Sequence, residues 1–199
     1  LRLVPFPKEV TLSEGSFALG RELRLAAHGA VAEKVGQLIN AELVMHGLER
    51  AKLQPATREP VEGMPWTIML YPKGLPAYIT KSFRHQRTEE DYVLRVDADP
   101  DFVGIWAPAR TGVLHGTQTL LQLIRANQHD GKIPCLTIRD WPSLRWRCFQ
   151  DDLTRGPSTK LDVLKRDLAR GAFLKMNLWT YYMEYQYAWT KHPVLCPEN

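Results

Sequence analysis

The residues best suited to chemistry lie in 143–156, SLRWRCFQDDLTRG. There Arg145, Arg147, Asp151, Asp152 and Arg155 crowd a segment whose Leu144 to Phe149 alternate as a strand does. A buried strand normally avoids ionised groups, because an unpaired buried charge is strongly destabilising. These charges must therefore pair with one another, or stand where the strand ends at a cleft. Side chains alternate across a strand, which puts Arg147, Phe149 and Asp151 on one side and Cys148, Gln150 and Asp152 on the other. Asp151 is then expected at the far end of the strand, on the side of Arg147. A second strand, NLWTYYMEY (177–185), carries Glu184 at its own end, level with Asp151. A guanidinium presents a fixed fork of donors, so Arg147 can hold two acceptors of a ligand or pair with one of these acids for structure alone.

The elements that must position these residues start with the segment between the two strands. Leu161, Leu164, Leu168 and Ala172 mark one face of a helix that Ser158-Thr159 can cap. Together they make one β-α-β unit, with loops short enough for parallel pairing. The preceding region has another pattern. Residues 9–26 read as short strands, EVTL, SFAL and ELRLAA, broken at Gly15 and Gly20. Val31, Val35, Leu38, Ile39 and Leu43 line one face of a helix that stops at Gly47. A polar stretch (51–65), a strand WTIMLY (66–71) and a long loop or irregular hairpin (72–90) follow. DYVLRVDA (91–98) and FVGIWA (102–107) pair antiparallel across a turn at Asp99-Pro100-Asp101. The helix over 109–127 carries Gly112 and Gly116 one turn apart. Each costs about 1 kcal/mol relative to Ala, which close approach to a sheet would offset. KIPCLTIRD (132–140) is the last strand of this region. The expected fold is an α+β domain over 1–138, a mainly antiparallel sheet with two helices on one face, and a second domain over 139–199.

Composition excludes more than it selects. Hydrophobic content of 44% and charged content of 24% suit a folded chain with a real core. The formal charge of +4 is scattered, with no run of five or six like charges, which argues against nucleic acid as a partner. Cys135, Cys148 and Cys196 show neither a CxxC pair nor zinc-ligand spacing, and their odd number leaves no complete intrachain disulfide set. No apolar run is long enough to span a membrane. The chain opens at Leu1 rather than Met, so removal of an upstream segment is expected; the compartment stays open, with an exported location preferred to a cytoplasmic one. Aromatic side chains crowd between Trp141 and Trp189, as in a packed barrel or a sugar-stacking surface. The lone histidines, His115 among them, have no partners in view and read as ordinary packing or surface residues.

An ordered set of motifs carries a resemblance to a family. LVPFPKEV (3–10), GVLHGTQTLLQLI (112–124), IPCLTIRDWPSLRWR (133–147), DDLTRG (151–156) and LKMNLW (174–179) together resemble glycoside hydrolase family 20, the β-N-acetylhexosaminidases. The resemblance implies that the first domain is non-catalytic, and that 139–199 begin a (β/α)8 barrel with its active site at the C-terminal ends of the strands. It implies that Arg147 binds sugar hydroxyls, with Asp151 and Glu184 beside it as substrate contacts. Asp152 and Arg155 match the family's D-x-x-R and are expected to lock a loop. The family's H-x-H-x-x-D is absent from the second strand, where Thr180-Tyr181-Tyr182-Met183-Glu184-Tyr185 stand instead. Tyr185, Tyr187 and Trp189 are candidates for stacking on sugar rings.

A barrel of this type takes about 250 residues, and far fewer follow Ile138. In the family an adjacent Asp-Glu pair at the end of the fourth strand carries catalysis. The Glu protonates the leaving oxygen, the substrate's 2-acetamido carbonyl attacks the anomeric carbon, and the Asp orients that amide, a recognised exception to the two-carboxylate scheme. Asp151-Asp152 is not that pair, and neither is Glu89-Glu90-Asp91 in the first domain. The expectation is therefore a fragment of an exo-glycosidase acting on terminal N-acetylhexosamine, inactive alone, with its catalytic residues beyond Asn199. A glycan or amino-sugar is the expected substrate, no metal or cofactor is implied, and exposed barrel strands invite self-association. The alternatives are another glycosidase with a similar leading domain, such as an α-glucuronidase or O-GlcNAcase relative, and a non-catalytic carbohydrate-binding module. The last ranks lowest, because Trp66 and Trp106 sit within strands and offer no evident platform.

Overall fold

The computed structural model describes residues 1–19, 23–27, 31–55, 67–71, 88–99, 101–156, 159–184 and 188–195. They fall into two compact units, Leu1–Ser143 and Leu144–Asn199. In the first, the alternating segments become β1 (Glu9–Ala18), β2 (Arg24–Ala27), β3 (Lys52–Pro55), β4 (Thr67–Tyr71), β5 (Tyr92–Ala98), β6 (Asp101–Trp106) and β7 (Lys132–Asp140). The periodic segments become α1 (Val31–Met45) and α2 (Arg110–Asn127). The sheet order is β1-β7-β5-β6-β4-β2-β3.

From β1 to β6 the strands pair antiparallel, and from β6 through β4 and β2 to β3 they pair parallel. The sheet is therefore mixed, not mainly antiparallel. The reason lies in α1, which carries the chain back from the end of β2 so that β3 starts beside it in the same direction, as a β-α-β crossover requires. Strand β3 itself falls in the polar stretch 51–65, to which the sequence assigned no element. β1 runs on through Gly15, whose φ of +93° sits at a register shift between Leu12 and Ser16, so a bulge replaces the expected break. Gly20 and most of 72–90 lie outside the described residues.

The helices lie side by side against the sheet. Between them are buried Tyr92, Leu94 and Val96 of β5, Val103 and Ile105 of β6, Leu136 and Ile138 of β7, Val35, Ile39 and Leu43 of α1, and Val113, Leu120 and Ile124 of α2. Each such side chain stabilises by about 1.5–3 kcal/mol. The two glycines of α2 do what the sequence implies: a Cβ at Gly112 would overlap the carbonyl oxygen of Asp91, and one at Gly116 would press on Ile105 and Tyr92.

The second unit holds β8 (Cys148–Asp152), α3 (Leu161–Phe173), β9 (Leu178–Tyr182) and a 3-10 turn (Pro193–Leu195). β8 and β9 pair parallel in a sheet of their own. Helix α3 is capped at Lys160 without a side-chain hydrogen bond, so Thr159 does not serve as its cap.

Candidate functional site

Strand β8 starts at Cys148, later than the alternation from Leu144 suggests. The main chain ahead of it is held by a side chain instead of a ladder. Arg147 N donates to Asn177 Oδ1 (2.9 Å), and Asn177 Nδ2 donates to the Arg145 carbonyl (2.8 Å). Asn177 thus fastens the segment before β8 to the loop before β9. Arg147 sits in that loop region, one residue before the strand. Its Nε donates to the Lys175 carbonyl (2.8 Å) and its Nη1 to the Leu144 carbonyl (2.8 Å).

The register β8 to β9 matches Cys148 with Leu178, Phe149 with Trp179, Gln150 with Thr180, Asp151 with Tyr181 and Asp152 with Tyr182. The rings of Phe149 and Trp179 are 4.5 Å apart, and a Cβ on Gly171 of α3 would lie 3.3 Å from the indole. Helix α3 therefore meets this face at Trp179 and leaves Phe149 exposed. By alternation Asp151 and Tyr181 share that face, while Cys148, Gln150, Asp152, Thr180 and Tyr182 occupy the other. On this opposite face Thr180 Oγ1 donates to Gln150 Oε1 (3.5 Å).

The carboxylates gather where the two strands end. Asp152 accepts from Thr154 through both the hydroxyl (2.7 Å) and the main-chain N–H (2.9 Å), and Arg155 Nε lies 3.4 Å from its other oxygen. The Thr154 hydroxyl, then the Thr154 N–H and the nearby guanidinium, lower the Asp152 pKa. This is the loop lock expected of Asp152 and Arg155, with Thr154 as a third member. Glu184 follows two residues after β9 in the left-handed region, φ +43°, an uncommon conformation for a side chain of its kind. The Tyr182 hydroxyl donates to Glu184 Oε1 (2.7 Å), and that acceptor and its charge raise the Tyr182 pKa.

Of the three expected substrate contacts, Asp151 and Glu184 thus share one end of the strand pair, and Arg147 stands at the other. Four residue steps separate Arg147 from Asp151, about 13 Å at ~3.3 Å per step. Sequence reasoning passed over Asn177 and Thr154, for which it had no signal. Tyr182 reads from the sequence as a core aromatic, but the structure leaves it exposed, with its hydroxyl on Glu184. Tyr185 and Tyr187 lie outside the described residues. Among the described residues no cluster of three or more His, Cys, Asp or Glu side chains converges as a metal site would need, and no helix is long and apolar enough to cross a membrane.

A mixed α+β sheet layered with two helices, followed by a parallel β-α-β unit, is an arrangement shared with solved glycosidases. The chitobiase of Flavobacterium johnsoniae superposes with a TM-score of 0.69 at 26% identity, over 97% of this chain and 29% of that one. An exo-β-N-acetylglucosaminidase of Vibrio harveyi superposes with a TM-score of 0.70 at 21% identity, over 97% and 28%. A β-hexosaminidase of Porphyromonas gingivalis is 24% identical over 196 residues, 95% of this chain and 23% of that protein. Residues 1–141 match the model of glycosyl hydrolase family 20, domain 2. The chain belongs to glycosyl hydrolase family 20. It spans about a quarter of the length of the curated relatives it matches.

Proposed function

We propose that the chain is the leading part of an exo-glycosidase that removes terminal N-acetylhexosamine by the substrate-assisted retaining route, and that residues 144–199 begin its (β/α)8 barrel. What carries this is the succession of parts: a family domain 2 over 1–141, followed at once by a parallel β-α-β unit. β-Hexosaminidases and a chitobiase among the relatives support the substrate class. On this reading the catalytic Asp-Glu pair belongs to a later strand, and the 199-residue chain should be silent by itself.

Within this reading Glu184 offers a carboxylate to sugar hydroxyls from the C-terminal end of β9, where barrel active sites form. The hydrogen bond from Tyr182 keeps that carboxylate oriented. Asp151 stands at the same end, on the face that α3 meets, and Arg147 owes its sugar contact to the family resemblance alone. The complete enzyme tests the assignment. Arg147→Ala should lower kcat/KM by an amount equivalent to about 2–4 kcal/mol, the loss of charged hydrogen bonds to hydroxyls. A folded variant with unchanged kcat/KM would assign Arg147 to structure, through contacts that include the Lys175 and Leu144 carbonyls. For the present chain, pure protein incubated with a chromogenic N-acetylglucosaminide should give no turnover above buffer; measurable turnover would overturn the placement of the catalytic pair.

A further inference from the structure

The β8–β9 pair presents two unlike faces. Phe149, Asp151, Trp179 and Tyr181 stand on the face that α3 meets, where a Cβ on Gly171 would lie 3.3 Å from the Trp179 indole. Cys148, Gln150, Asp152, Thr180 and Tyr182 alternate onto the other face. Each of these five carries a hydrogen-bonding group, and all but Thr180 are exposed. In a (β/α)8 barrel the helices form the outer ring, so the face that bears α3 is the outer one and the polar face looks inward. Barrel interiors are filled mainly by branched apolar side chains. A polar inner face at the ends of two strands needs polar company, which a ligand can supply.

Two carboxylates stand at the end of that face, and they are engaged differently. Asp152 accepts from the Thr154 hydroxyl and N–H and has Arg155 at its other oxygen, so its charge serves its own loop. Glu184 is exposed, and its left-handed backbone brings Oε1 to 2.7 Å from the Tyr182 hydroxyl. Side chains held in that backbone region gather at active sites and ligand clamps, where their surroundings fix them. The Glu184 acceptor and its charge raise the Tyr182 pKa, so the phenol stays a donor through the neutral range. A carboxylate has two oxygens to offer. With Oε1 held by Tyr182, the side chain loses rotational freedom before a ligand arrives, and Oε2 is left to accept from it.

We infer that substrate meets this unit on the polar face, where a sugar hydroxyl donates to Glu184 Oε2, and that Tyr182 is the positioning residue that holds Glu184 for it. The assignment rests on the barrel reading proposed above, and it leaves Asp151 on the outer side of the barrel wall. Tyr181 and Tyr182 are neighbours of identical chemistry on opposite faces, so removing either hydroxyl separates the two sides.

The test uses the complete enzyme and a chromogenic N-acetylglucosaminide. Tyr182 is 42% exposed, so Tyr182→Phe leaves the fold intact. That variant should raise KM about tenfold with kcat within about twofold of the parent, as loss of binding shared by ground and transition states requires. Tyr181→Phe should leave both constants within about twofold. In a Glu184→Ala background, Tyr182→Phe should change kcat/KM by no more than about twofold, because the hydroxyl acts only through that carboxylate. A merely structural Tyr182 would instead lower kcat with the folded fraction and leave KM alone. Equal effects of the two phenylalanine variants, an unchanged KM in Tyr182→Phe, or a full further loss in the Glu184→Ala background would each overturn the inference, with the parent's turnover and the glycosidase reading still standing. A parent without turnover would overturn both.

Discussion

Asp140 ties three parts of the first unit with one carboxylate. It accepts from the main-chain N–H of Lys8 (3.2 Å) and from the hydroxyl of buried Tyr92 (3.0 Å), and that hydroxyl lies 2.6 Å from Thr119 Oγ1 of α2. Tyr92→Phe leaves Asp140 short of a donor in a buried place, and should cost about 1–3 kcal/mol by urea denaturation. Burial above all, then the Asp140 charge, raises the Tyr92 pKa well above its ordinary 10.0. The phenol therefore stays neutral in the folded chain while the unfolded chain ionises it. Its contribution is present in full below about pH 10 and is lost as pH rises through the folded value. Stability should fall more steeply above pH 10 in the parent than in Tyr92→Phe; parallel pH profiles would mean that the hydroxyl is not buried against Asp140. At Asp152 the sign reverses. Its lowered pKa makes the bonds to Thr154 persist above the ordinary 3.8 and release as pH falls through the folded value. Asp152→Ala should speed hydrogen exchange at the Thr154 amide, and unaltered protection there would remove Asp152 as the loop lock. The loop lock was legible in D-x-x-R. The surroundings of Arg147 were not, because they depend on Asn177 and Lys175, which local alternation cannot bring into view.

Elements were legible where their pattern was local. The glycine pair in α2 announced close approach, and the structure gives it a measurable sign. Helix propensity alone predicts that Gly112→Ala stabilises by about 1 kcal/mol. The Asp91 carbonyl, which is backbone and cannot step aside, predicts the reverse, a loss of about 1–3 kcal/mol through overpacking. Chemical denaturation of the variant decides, and a gain in stability would mean that α2 does not lie on the sheet as described. The contact between helices was not legible, since nothing in the separate patterns of α1 and α2 pairs Glu42 with Arg125. Glu42 is 3% exposed and takes both forks of Arg125, Nε at 2.9 Å and Nη2 at 2.6 Å. Burial of one partner makes breaking the pair worse than deleting it. Arg125→Met should cost about 3 kcal/mol, and Glu42→Leu with Arg125→Met should recover much of that. A double variant as unstable as the single one would show that Glu42 does not need the arginine. The parallel half of the sheet escaped the sequence for a related reason. β2, β3 and β4 find partners across α1 and across long connections, and a strand's direction is not written in its own residues.

At the scale of the whole chain the two units differ in how far they cover their apolar surface. The first has a continuous core between sheet and helices. In the second, Gly171 is the one buried residue of α3, while Trp146, Phe149, Leu161 and Tyr182 remain exposed. A unit with one helix on two strands removes too little apolar area from water to offset its conformational entropy. Among the described residues no further strand pairs with either outer edge of its two-stranded sheet. Under the proposed barrel reading further strands would cover these edges, and their exposure carries a consequence for the chain in solution. At micromolar concentration the amides of β8 and β9 should exchange with solvent at least about a hundredfold faster than those of β5, β6 and β7, because they open without global unfolding. Raising the concentration should slow exchange in β8 and β9 selectively as the exposed edges and aromatic face find second copies, with a matching rise in sedimentation coefficient. Protection of β8 and β9 equal to that of the central strands in a dilute, monomeric sample would mean that the second unit is stable as it stands, and that its exposed face needs no further strands to cover it.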